Sequence, residues 1–164
     1  MKPVDSTAEI LIWKHFNKSV DEKWSFWAVD MMMAGFDTEH IVELAGISKP
    51  YNQFELGALT DRVFNELRID FSDQQSLVIK YTTFLAKEVL MGRRDLLNSL
   101  RSLNQLFNKT EFDQIIQDFY LLYFAKEDLI SSEIQWYWEG ANRDNIDTIC
   151  MEQFEKWLEK YGEE

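Results

Sequence analysis

Residues 24–46, WSFWAVDMMMAGFDTEHIVELAG, constrain the fold more than any other stretch of the chain. At roughly 100° per residue, Trp24, Trp27, Ala28 and Met31 share one helix face, while Phe26, Val29 and Met33 share the opposite one. Asp30 and a few short polar groups are the main interruptions. A helix that is apolar nearly all round has to be enclosed by other helices. The segment therefore predicts a buried central helix over about residues 20–34 in an all-α bundle of about seven to eight helices.

The flanking sequence supplies the helices to surround it. A first helix starts at an Asp5 or Ser6 cap and runs to about Asn17, with Ile10, Ile12, Trp13 and Phe16 facing the central helix. The central helix, capped by Ser19 or Asp21, stops at Gly35, which suits the left-handed position after a helix, with Phe36 folding back. Asp37 is read as the cap of a short third helix that ends the same way at Gly46. A fourth spans Asn52–Leu67, and a Ser72/Gln75 capping box opens a fifth that stops at Gly92. Leu96, Leu100, Leu103 and Phe107 mark a sixth. Thr110 is expected to cap a long seventh helix reaching Trp138; Gly140–Asn145 breaks the chain, and a last helix uses Ile146, Cys150, Phe154, Trp157 and Leu158. Nothing in the sequence alternates with a strand period between hairpin signals.

With 164 residues, 46% of them hydrophobic, the chain suits a single helical domain over 1–164 that needs no staples. Cys150 is the only cysteine, so no disulfide can form within the chain, which favours a reducing compartment. MKPVDSTAEI lacks the apolar core of a secretory signal, and the longest apolar run, Phe119–Ala125, falls far short of the roughly 18 residues a membrane span needs. The expectation is a cytoplasmic protein without membrane attachment.

The net charge of -12 is concentrated at one end: residues 111–164 carry 14 acids against 4 bases. Such a field repels phosphates and anionic lipid and attracts basic proteins. Within Asp37–Leu56, the stretch from Thr38 through Ser48 resembles the first helix and turn of a DNA-binding helix-turn-helix. The would-be recognition segment departs from it, carrying Pro50 and Glu55 with Lys49 as its one base, too little to neutralise phosphates. Nucleic acid is therefore not expected as a partner.

Asp37 and His40, with Glu39 and Glu43 nearby, form half of a four-helix di-iron motif, but His15 is the only other histidine and has no carboxylate at ligand spacing. No phosphate loop, GxSxG, HExxH or cysteine pair occurs, so neither catalytic residues nor metal or cofactor are expected. Cys150, on the apolar side of its helix, reads as an inert buried thiol.

The best-motivated site lies in the acidic third. If the seventh helix runs to Trp138, then Phe119, Tyr123, Ile130, Ile134 and Trp138 face the core, and Trp136 points outward with Leu122, Leu129, Asp118 and Glu133. An aromatic anchor among carboxylates suits a hot spot for a basic partner. Glu139, Asp144, Asp147, Glu152, Glu155 and Glu159 extend that candidate partner-binding surface. An alternative is a small-ligand or enzymatic pocket between helices near Trp24, Met31 and His40.

The pattern Met33-Ala34-Gly35-Phe36-Asp37, followed by Leu44-Ala45-Gly46, resembles one that recurs in small helical bacterial proteins, mostly uncharacterised. More broadly, a compact acidic α-domain without catalytic motifs is similar to the immunity proteins that neutralise bacterial toxins. That resemblance implies an intracellular inhibitor of a basic, nuclease-type toxin, and it assigns no residues.

Overall fold

Helix follows helix along the chain. A computed structural model describes residues 1–162, and among these there are eight α-helices, one short 3-10 turn and no strand. The chain is all-α, as its apolar periodicity predicts. It divides into two compact units, Met1–Tyr81 and the part from Thr82 onward, and helix α5 (Gln74–Leu90) contributes to both.

The first unit holds α1 (Thr7–His15), α2 (Glu22–Met33), α3 (Glu39–Ala45) and α4 (Gln53–Leu67). Asp21 caps α2 by accepting from the Lys23 N–H, and Asn52 caps α4 by accepting from that of Glu55. Trp24, Trp27, Ala28 and Met31 are buried as predicted, joined by Ile41 and Leu44 of α3 and Val63 and Phe64 of α4. The polar edge of the Trp27 indole is satisfied within this core, its Nε1–H donating to Thr7 Oγ1 at 3.0 Å. Lys14 ties α1 to α4 with its ammonium on Gly57 O, Thr60 Oγ1 and Asp61 Oδ1.

Enclosure of α2 on all sides is not what the structure shows. Phe26, Val29 and Met33, opposite the buried stripe, are exposed. The helix ends as expected, with Gly35 at φ 101° and the Phe36 N–H returning to Met31 O at 2.9 Å. Gly46 does not repeat that geometry; its φ is -97°, and α3 closes through a plain turn to Glu43 O. Thr38, rather than Asp37, precedes the first residue of α3. Residues 46–52 separate α3 from α4, longer than the tight turn of a helix-turn-helix.

The second unit holds the end of α5, then α6 (Leu96–Lys109), η1 (Gln114–Ile116), α7 (Gln117–Ser131) and α8 (Ile146–Tyr161). Asp95 caps α6, and Asp113, not Thr110, caps η1, which leads into α7. The helices α7 and α8 run antiparallel: Asp118 near the start of α7 accepts from Gln153, while Lys126 farther along reaches Asp147 at the start of α8. Between them Phe119 stacks on Phe154 with ring centroids 4.7 Å apart, and Trp157 meets the edge of the same ring at 5.8 Å. Trp157 Nε1–H also donates to Thr83 Oγ1 of α5 at 3.0 Å. Cys150 is buried here, and burial pushes its thiol up to about 12.

Candidate protein-docking surface

The seventh helix stops seven residues short of Trp138, and that early stop makes the candidate site. Ser132 is extended (φ -142°, ψ 157°), and its hydroxyl accepts from the Ile134 N–H at 3.2 Å, the local competition with helix that serine favours. Arg143 reaches back from the following turn, its Nε–H donating to Leu129 O at 2.8 Å and closing the helix end. The buried stripe of α7 is therefore Phe119, Leu122, Ala125 and Leu129. This corrects the expected faces: Leu122 and Leu129 point inward, whereas Ile130 and Ile134, expected in the core, are exposed. Ile134 and Trp138 fall in the loop of residues 132–145, so they do not anchor a helix face, and within α7 the buried stripe passes through Leu122, Ala125 and Leu129 and leaves Ile130 outside.

Gln135 organises that loop. Its Nε2 donates to Trp138 O at 2.5 Å and to Ala141 O at 3.1 Å, and its Oε1 accepts from the Tyr137 and Trp138 N–H groups, both at 2.8 Å. Tyr137 is pinned separately by stacking on Phe124 of α7, centroids 5.3 Å apart. The return to α8 is tied by its asparagines. Asn142 Oδ1 accepts from the Asp144 and Asn145 N–H groups, and the Asn145 side chain bonds both Asn142 N and Gly140 O. Backbone is thus held on either side of Trp136, whose own side chain is 89% exposed. A large amphipathic ring is presented from a braced backbone, so binding need not order the loop that carries it.

All nine side chains of the candidate surface are exposed, but they do not form one patch. Glu133 and Glu139 lie on the loop with Trp136, and Asp144 on its return. Glu152, Glu155 and Glu159 follow at i, i+3 and i+7 along the outer side of α8, which puts Glu159 about 20 Å from the start of that helix. Three of the acids already have partners. Asp147 pairs with Lys126, Asp118 accepts from Gln153 at 3.2 Å, and Glu133 stands 3.9 Å from Arg143, a contact too long and exposed to neutralise much. Among the described residues, Glu139, Asp144, Glu152, Glu155 and Glu159 have no cation at ion-pair distance.

Sequence reasoning found Trp136 and the acids and missed the braces, Gln135, Asn142, Arg143 and Asn145. Their signal was present: two serines, then a glutamine before three aromatics, then Asn-Arg-Asp-Asn, which is turn chemistry.

Trp24 and Met31 of the alternative pocket are fully buried core residues, whereas His40 turns to Glu66 on α4. Glu66 takes both the His40 ring N–H and its backbone N–H, so it caps α3 from a neighbouring helix. Desolvation pushes the Glu66 carboxyl up, but the bonds from His40, together with the Thr38 side chain, outweigh it and hold the group below its ordinary value. Glu39, His40 and Glu66 also place three metal-ligating atoms within 4.8 Å of one another, and the cap accounts for the pairing of Glu66 with His40. No helix among the described residues is long and apolar enough to cross a membrane. Comparison of the chain with family models, curated proteins and solved structures finds no match.

Proposed function

We propose that this chain is a cytoplasmic binding protein that docks a basic protein partner through Trp136 and the carboxylates around it. The partner class proposed is a nuclease-type bacterial toxin, which would make the chain an immunity protein. One observation carries the docking reading: an indole 89% exposed on a loop braced by side-chain hydrogen bonds. An exposed tryptophan with no structural task in its own fold is the residue type that dominates interface energetics when a partner covers it.

The charge supports the second half. The unpaired acids on the loop and along α8 would steer a cationic surface towards the indole and speed encounter. A nuclease must present cations to bind phosphate, so a carboxylate-bearing inhibitor can occupy the same surface.

The test uses immobilised wild-type chain and an immobilised Trp136→Ala chain side by side against extract of the source cell. A basic protein retained by the first and not the second, and released by added salt, is the expected result. Identical retention by both overturns the role of the indole.

A further inference from the structure

The chain leaves a second apolar surface open, on the first unit, and it is independent of the Trp136 reading. Phe26, Val29 and Met33 are 60%, 41% and 83% exposed, and they follow at i, i+3 and i+7 along α2, directly opposite its buried stripe. Val42, on α3, is exposed as well. The two helices form a hairpin: Ser25 at the start of α2 donates to Ala45 O at the end of α3 at 2.7 Å, and Gly35 makes the turn between them. A straight apolar ridge two turns long is costly to leave in water and has the shape that receives another helix.

The charges around it say what kind of helix. Residues 22–47 contain Glu22, Asp30, Asp37, Glu39 and Glu43, all exposed, against a single base, Lys23. No lysine or arginine among the described residues pairs with any of the five. A second copy of this chain would bring the same acids together, and like charges in a contact oppose it. Three side chains of one helix also fall well short of the roughly 800 Å² per partner of a stable interface between copies.

We propose that this face of α2 and α3 receives a basic amphipathic helix of a partner protein. Its apolar side lies along Phe26, Val29 and Met33, and its lysines and arginines meet the surrounding carboxylates. The methionine end of the ridge adapts to side chains of different shape, because a thioether chain repacks readily.

The experiment titrates the full chain into a fluorescently labelled synthetic helix of leucine and lysine alone, about as long as α2. A scrambled peptide of the same composition, without the helical period, serves as control. The anisotropy isotherm is expected to show the amphipathic peptide binding at least tenfold tighter than the scrambled one. The exposed double substitution Phe26→Ser with Met33→Ser, which changes no charge, should weaken it about tenfold or more. Trp136→Ala is the comparison for the second unit: a loss of peptide binding as large as that of the double substitution would assign the peptide to the indole surface and overturn the proposal. Equal binding of the two peptides overturns the proposal, as does indifference to the double substitution. Sedimentation showing a wild-type dimer that the double substitution converts to monomer also overturns it, assigning the ridge to a second copy.

Discussion

Replacing Gln135 with alanine isolates the brace that holds Trp136 in place. The side chain makes four hydrogen bonds to loop backbone, at 2.5, 3.1, 2.8 and 2.8 Å, two as donor and two as acceptor. At a net worth of about 1 kcal/mol each the set would contribute about 4 kcal/mol. Gln135 is only half-buried, so water replaces part of what is lost, and about 2 kcal/mol of local order is the working figure. That corresponds to amide exchange roughly 30-fold faster at Tyr137 and Trp138, whose N–H groups lose their acceptor. The assay is hydrogen exchange resolved by residue, with the α7 and α8 amides as internal reference. Gln135→Glu keeps the acceptor oxygen and should protect those two amides better than alanine does, although it forfeits the donors to Trp138 and Ala141. Unchanged exchange at Tyr137 and Trp138, or an equal loss of protection throughout α7 and α8, would refute the idea of a locally braced loop.

Four further outcomes follow from the same structure. Trp136→Ala should alter unfolding free energy by no more than about 0.5 kcal/mol in denaturant titration, because the indole contacts mostly water. Phe154→Ala should cost about 3–5 kcal/mol in the same titration, since the ring is fully buried and stacked on Phe119. The Cys150 thiol, pushed up to about 12, should ignore a thiol reagent at neutral pH in the folded protein and react at once in denaturant. Glu66 titrates below an ordinary glutamate, so its contribution is complete above the unfolded value and is lost as pH falls through the depressed folded one. A carboxyl NMR titration should show that depression reduced by His40→Ala, which removes the ring N–H and keeps the backbone one.

How much of this was legible from residues alone differs element by element. The core face of α2 could be read because Trp24, Trp27, Ala28 and Met31 recur at helical spacing and no other conformation aligns them. Its other face could not, because periodicity shows that Phe26, Val29 and Met33 share a side without showing whether this chain covers it. The end of α7 misled for a related reason. Ile134 and Trp138 continue an apolar helical spacing beyond Ser131, while the stop depends on hydrogen bonds from Ser132 and Arg143 that spacing does not contain. Gly35 and Gly46 show the limit for single residues: both follow a helix, and only the first takes the left-handed conformation. The acids could be counted but not sorted, since the contacts of Asp147 with Lys126 and of Asp118 with Gln153 arise when α7 meets α8.

The measurement closest to the central claim is the affinity of the basic protein recovered on the wild-type chain, for wild type and for Trp136→Ala, at low and at high salt. Binding about 30-fold weaker without the indole, some 2 kcal/mol, is expected, with a further fall with salt in both chains. An affinity equal for the two chains and insensitive to salt would contradict the claim.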